Sequence, residues 1–374
     1  MIAAKTLFSR SILVGSLLLA TAAAPRAAPD SGPAGPQGVL LPVFSSSLVI
    51  NGVATTPDGR MFMPVQPGRP GRGPEVVEVR DGRPVPFPDK RWNGWRKGRD
   101  GADRFVGVNA LRVGPDGALW VVDRGAPGIG KPIAPHGVKL VRIDLAGNKV
   151  SRSYDLSAVT GPKSFVDDVR FNGDRAYLTD AGQPGLILLD LRTGAGRRVL
   201  DGDPSVTART PLMAEGQRVI DPEGRPVVIH ADQLELSPDA RWFYYQPCNG
   251  GMSRIETRFL DDASLPASEL ARHVEHFADT PSTGGTAMDA DGTIYLSDVN
   301  SKRILAIAPD GRMHTILSDP RLVWVDAMWL DDKGRLLMPA AQLNRTAGLN
   351  GGRDAVRQPI TLYGMALGVQ PSHH

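Results

Sequence analysis

Asn109-Ala-Leu-Arg-Val-Gly-Pro-Asp-Gly-Ala-Leu-Trp-Val-Val-Asp123 runs an apolar stretch into a Pro-Asp-Gly turn and brings a second apolar stretch back out of it. Pro presets the turn and Gly supplies its positive φ, so two short apolar runs around such a turn read as a β-hairpin. The same phrase starts at Asn51, Asp167, Asp232, Gly284 and Asp326, with the turn varied as Pro57-Asp-Gly, Asn172-Gly-Asp, Pro238-Asp-Ala, Asp289-Ala-Asp-Gly and Asp331-Asp-Lys-Gly. From Asn51 to Asp326, five intervals cover 275 residues, a mean of 55. That period is too long for a helical solenoid unit and suits a four-stranded blade with generous loops. Further apolar runs between the hairpins, such as Gly185-Leu-Ile-Leu-Leu-Asp and Arg303-Ile-Leu-Ala-Ile, supply third strands. The sequence therefore predicts an all-β protein, a six-bladed β-propeller. Ile360-Thr-Leu-Tyr-Gly-Met-Ala-Leu is placed to pair with an N-terminal strand starting near Val39, closing the ring and removing an open sheet edge.

The 374 residues divide into three parts. Lys5 and Arg10 precede an apolar run from Ile12 to Ala20 and small residues follow, so 1–28 reads as a signal peptide cleaved at about 22–28. Pro29 to Gly38 reads as a flexible tether, and 39–370 as one propeller domain. The run is shorter than the roughly 20 residues needed to cross a bilayer, so no membrane span is expected after the leader is removed. Export to the periplasm or the exterior follows from this reading. The formal charge of +3 equals the leader's Lys5, Arg10 and Arg26, leaving the remainder neutral and arguing against a nucleic-acid partner. Cys248 is the only cysteine, so no internal disulfide forms; with no Lys, Arg or His beside it in Gln246-Pro-Cys-Asn-Gly-Gly, it reads as a packing residue rather than a reactive thiol.

Strand direction makes a prediction about chemistry. The first strands of the blades all start at one mouth of the ring, and the second strands return there. Asn51, Asn109, Asp167, Asp232, Gly284 and Asp326 should therefore share that mouth, with Asp123, Asp180 and Asp298 at the ends of second strands. The last three read as caps for loop N–H groups. The inner ring reads either as strand-end capping or as a ligand site, in which oxygen donors could hold one divalent cation (Ca, Zn, Mn or Mg). His230, two residues before Asp232, is a candidate base at the same mouth, with Asp232 itself a second catalytic candidate.

Two regions break the repeat, 67–103 and 201–228. In the first, Trp92 and Trp95 stand among Arg91, Arg96, Lys97 and Arg99, either as a lid that stacks on a ligand or as anchors pinning the loop. A short helix is expected around Ala267-Ser-Glu-Leu-Ala-Arg. Gly125-Ala-Pro-Gly-Ile-Gly-Lys131 mimics a phosphate loop, but Pro132 replaces the hydroxyl residue it needs. No Gly-x-Ser-x-Gly elbow occurs.

Several phrases resemble the major royal jelly protein/Yellow family: Pro86-Phe-Pro-Asp-Lys-Arg-Trp-Asn, Phe165-Val-Asp-Asp-Val-Arg-Phe, Asp203-Pro-Ser-Val, and Trp324-Val-Asp-Ala-Met-Trp-Leu with Gln342-Leu-Asn-Arg. That resemblance implies a secreted six-bladed propeller and points to binding of a small polar or amine-bearing molecule at the acidic mouth, through Asn51, Asn109, Asp167, Asp232 and Asp326. It also implies dopachrome-conversion-like activity as an alternative. Ala287-Met-Asp-Ala-Asp-Gly-Thr-Ile-Tyr-Leu-Ser-Asp is similar to the gluconolactonase/regucalcin propellers. Their central metal, held by Glu, Asn and Asp, implies Asn109 with Asp232 or Asp326 as ligands for a lactone hydrolase here, although Asn51 stands where the Glu would be. A protein-interaction scaffold is the third expectation, since this fold does not fix function.

Overall fold

The computed structural model describes Met1, residues 38–66 and residues 73–372. The leader, nearly all of the tether and the first residues of the 67–103 loop lie outside the described residues. From residue 38 onward the described chain belongs to one compact unit, Ala34–His374.

Six antiparallel sheets form the blades. Their innermost strands are Ala54–Thr55, Val108–Val113, Val166–Asn172, Ala231–Leu236, Thr283–Met288 and Trp329–Leu330, so the six sequence phrases are the six inner hairpins. Leu41–Ser46 forms the outer edge of the sixth blade by pairing with Ile360–Ala366, with Leu41 opposite Gly364 and Ser46 opposite Ile360. The last blade is thus shared by both ends of the described chain, as expected, although its outer strand begins at Leu41 rather than Val39.

Apolar residues are buried between blades rather than within them. One cluster joins Trp120 and Tyr154 of blade 2 to Val169, Phe171 and Ile187 of blade 3. Another joins Tyr177 and Leu188 of blade 3 to Leu234, Phe243 and Tyr245 of blade 4. A blade alone would leave such faces in water, which couples the six sheets into one ring. The helix Ala267–Arg272 matches expectation, whereas the helix Thr257–Asp261 is announced by no cap or periodic pattern in the sequence.

Four inner strands share an irregularity at the same end. Pairing with the second strand is interrupted between Val108 and Ala110, Val166 and Val169, Ala231 and Gln233, and Thr283 and Thr286. Such bulges leave a residue unpaired and re-aim its side chain. The interrupted positions are Asn109, Asp167 with Asp168, Asp232, and Gly284 with Gly285. Blade 5 carries glycines there because its neighbour comes too close: a Cβ on Gly285 would lie 2.4 Å from the Asp326 carbonyl oxygen.

Candidate functional site

The bulged residues meet on the axis. Asn51, Asn109, Asp167, Asp232, Gly284 and Asp326 all line one small chamber with a cavity volume of about 20 Å³, enough for an ion, a water or an ammonium group but not for a sugar or a lactone. Residues up to 275 positions apart in sequence are thereby brought to one point.

Just inside the chamber a belt of buried charges links blades 2 to 6. Arg112 of blade 2 donates to the Met328 carbonyl of blade 6 at 2.9 Å and forks onto Asp168 of blade 3. Arg170 bonds Asp168 at 3.0 Å and reaches Glu235 of blade 4 through two bonds of 3.0 and 2.8 Å. Thr286 of blade 5 completes the series with a 2.7 Å bond to Glu235. Burial alone would raise the Asp168 carboxyl, but the charges of Arg112 and Arg170 outweigh it and hold it at about 2. Two guanidiniums thus face two carboxylates, and the belt is neutral within itself.

The chamber carboxyls have no such compensation. Asp167, Asp232 and Asp326 keep part of their surface open to the chamber while protein surrounds them elsewhere, so loss of hydration dominates their ionisation. It pushes Asp232 up to about 6 and raises Asp167 and Asp326 well above the carboxylate range, with mutual repulsion adding to the effect on the last two. Asp167 and Asp232 share a hydrogen bond that favours the proton on Asp167 and the charge on Asp232, and they titrate as a pair. Gln233 donates to Asp232 at 2.8 Å, and the Ala327 N–H to Asp326 at 3.0 Å. Arg112, the basic residue of the lining, is committed to Asp168. Arg124 stands at the edge, donating to Asn109 Oδ1 at 3.1 Å and Gln66 Oε1 at 3.2 Å, with Glu75, Asp123 and Asp167 as its nearest negative charges. Burial raises Glu75 to about 8 despite Arg124.

Cys248 also touches the cluster. Its thiol donates to the Thr283 carbonyl at 3.1 Å and interacts with Asp232; burial first, and the Asp232 charge second, push it well up, so it stays a protonated packing residue. Nothing in the sequence places it beside an acid.

One expectation is corrected, and one pair of alternatives is decided. His230 lies outside the chamber lining: its Nδ1 accepts the Ala208 N–H at 3.1 Å, and burial lowers its pKa, so the ring is held neutral against the 201–228 segment. Of the two readings of Trp92 and Trp95, the loop-anchor reading holds. Trp92 packs on Phe105 with ring centroids 5.1 Å apart, and Trp95 donates its indole N–H to the Arg99 carbonyl at 2.9 Å, so both anchor their loop away from the axis. A cover that the sequence does not announce crosses the mouth. The 201–228 segment runs over its face from blade 3 to blade 6, where Glu215 bonds Arg345 and Asn344, and the Gly216 N–H reaches Asn300. Its Leu212 and Val219 pack with Val299, Trp324 and Leu349 against Cys248.

Asp123, Asp180 and Asp298 are loop caps. Asp123 accepts three backbone N–H groups and the Lys139 ammonium; Asp180 accepts the N–H groups of Phe165, Gly182 and Gln183 together with Arg198; Asp298 accepts those of Asn300 and Ser301 together with Arg303.

The donor set does not fit the metal centre that the gluconolactonase resemblance implies. Asn51 occupies the Glu position and its Oδ1 accepts from Gln66, while Asn109 Oδ1, the atom a metal would use, faces the Arg124 guanidinium. Among the described residues no group of three His, Cys, Asp or Glu side chains is arranged to hold a metal ion.

Comparison with known proteins agrees with the architecture. The major royal jelly protein family matches residues 106–373. No curated protein sequence matches the chain. Similar solved structures include a gluconolactonase from Xanthomonas campestris, 15% identical, covering 87% of this chain and 89% of its own with a TM-score of 0.53. A candidate glucose dehydrogenase from Thermus thermophilus is 15% identical, covering 88% and 99% with a TM-score of 0.52. At such identities the likeness is one of fold.

Proposed function

The chain belongs to the major royal jelly protein family, and we propose that within it this protein is an exported binding protein whose axial chamber takes the cationic head of a small amine-bearing molecule. One observation carries the reading: three carboxyls, Asp167, Asp232 and Asp326, share a chamber whose basic lining residue, Arg112, is already paired with Asp168. An ammonium group matches the chamber volume, offers three N–H donors to three acceptors, and supplies the counter-charge that these dehydrated carboxyls lack. The apolar leader after Lys5 and Arg10 supports export. Recovery of a mature protein lacking its first residues checks that part; an intact N-terminus would count against it.

Calorimetry with tyramine, its neutral isostere 4-ethylphenol, and glucose tests the binding. Tyramine is expected to bind one to one, and the neutral isostere roughly a hundredfold more weakly, a difference of about 2.7 kcal/mol. Equal affinity for the two phenols, or silence for every amine tried with a folded sample, defeats the reading.

A further inference from the structure

Two loops that take no part in the axial chamber meet on the mouth-side rim of blades 1 and 2. They are 89–104 and 125–137, and the strands before them, Arg83–Pro86 and Leu119–Arg124, both run toward the mouth. The Gly101 N–H donates to the Pro135 carbonyl at 2.8 Å, and His136 Nδ1 lies 2.7 Å from Asp100. Trp95 packs with Val106 and Ala134, which gives the seam a small apolar core of its own.

Six basic and three acidic residues give 89–104 a net charge of +3, in a chain that is neutral once its leader is set aside. The acids are already committed. Asp89 caps the Trp92 N–H, Asp100 meets His136, and Asp103 pairs with Arg91 and Arg104. Arg96, Lys97 and Arg99 are exposed and have no acidic partner among the described residues. They are held close together, because the Arg99 N–H closes a turn on the Arg96 carbonyl at 3.1 Å and the Trp95 indole N–H holds the Arg99 carbonyl.

The neighbouring loop adds an apolar element. The Lys131 N–H bonds the Gly128 carbonyl at 3.1 Å, so Ile129 and Gly130 form the tip of a tight turn, with Ile129 51% exposed and Lys131 exposed beside it. A single exposed aliphatic residue is ordinary by itself. Next to a fixed cationic turn it separates two kinds of anionic partner. A soluble polyanion is served by the cations alone, whereas a bilayer takes both elements: its headgroups draw Lys and Arg, and its interface takes the aliphatic tip.

We propose that this rim is a docking surface for an anionic lipid bilayer, with Arg96, Lys97, Arg99 and Lys131 at the headgroups and Ile129 entering the interface. The turns are already ordered, so little freedom is lost on contact. Docking is peripheral and reversible, and no bond is made or broken. It stands whether or not the axial chamber takes an amine.

Vesicle sedimentation tests it with the chain from residue 29 onward, since the apolar leader would bind lipid by itself and the compact unit starts at Ala34. The probes are vesicles of phosphatidylcholine alone and of phosphatidylcholine with about one third phosphatidylglycerol. The protein is expected to pellet with the anionic vesicles at about 0.05 M salt and to bind them about tenfold more weakly at about 0.5 M. Each basic residue near such a surface is worth about fivefold, so combining Arg96→Gln, Lys97→Gln and Arg99→Gln should weaken binding by about a hundredfold. Removing the same charge from hairpin turns on the opposite face, through Lys149→Gln, Arg192→Gln and Lys333→Gln, should change it by less than about twofold. Ile129→Ser should weaken vesicle binding by about tenfold and leave retention on immobilised dextran sulfate unchanged. The substituted side chains are all exposed, so the fold is not at risk, and matching urea midpoints check this. Failure to pellet with anionic vesicles overturns the proposal, as does equal loss in the two triple variants. Vesicle binding that ignores Ile129→Ser and is abolished by free dextran sulfate also overturns it, in favour of a soluble polyanion.

Discussion

Asp232→Asn is expected to lose amine binding at the axis and, in the same protein, to become more stable. The two effects have one origin. Asp232 is raised to about 6 because loss of hydration outweighs the hydrogen bonds from Asp167, Cys248 and Gln233 that favour its charge. A carboxyl raised in the folded state keeps its proton there while the unfolded chain has already released it, so folding stability falls as pH rises from about 4 through 6. At pH 7.5 the natural protein carries that penalty in full. The shift corresponds to about 3 kcal/mol, of which the amide should recover on the order of 1–3 kcal/mol, since Asn still accepts from Gln233. Removing the charge that an ammonium would meet should weaken tyramine by roughly a hundredfold. Urea unfolding at pH 7.5 and at pH 4.5 measures the first effect, which should shrink at the lower pH. A destabilised variant that still binds amines would show that Asp232 is an ordinary structural acid.

Arg170→Met is expected to have the opposite consequence, a loss of about 3–5 kcal/mol with the ring still closed. Arg170 is buried and holds both Asp168 and Glu235. Met occupies similar space but leaves Glu235 with only the Thr286 hydroxyl among its belt partners, and Asp168 with Arg112 alone. An enclosed carboxylate that loses its cation must take up a proton or remain unpaired, and either outcome costs far more than a surface pair is worth. Replacing Glu235 by Gln in the same chain should return part of the loss, because the stranded charge disappears with it. A urea midpoint within about 0.5 kcal/mol of the natural protein would mean that the belt does not hold the blades together.

The hairpins are legible in the amino-acid sequence because each copy repeats a local rule, a preset turn between apolar runs. Their direction places Asn109, Asp167, Asp232 and Asp326 at one end of the ring, and the fold brings them to one chamber. Register is what stays hidden. The bulges insert a residue at the start of four inner strands, so Asp167 and Asp168, adjacent in sequence, face different partners: one the chamber, the other Arg112 and Arg170. Pair separations in the belt nevertheless leave a trace. Arg112 and Asp168 are 56 residues apart, and Arg170 and Glu235 are 65 apart, close to one blade period, with opposite signs on otherwise apolar strands. Charges repeated at the blade spacing are the available signal. His230 departs from expectation for a related reason: proximity in sequence to Asp232 says nothing about which side of a bulged strand start a ring will take. The cover over the mouth is illegible because Glu215 finds Arg345 across 130 residues in a segment without periodicity.

Proton release on binding tests the uncompensated carboxyl chamber most directly. Tyramine titrated into the protein at pH 6 in two buffers of different ionisation enthalpy reports how many protons leave as the amine enters. The raised pKa of Asp232, and of Asp167 and Asp326 beside it, predicts release of about one proton per amine and affinity that climbs between pH 5 and 7. Binding with no proton exchanged and no dependence on pH would contradict the account.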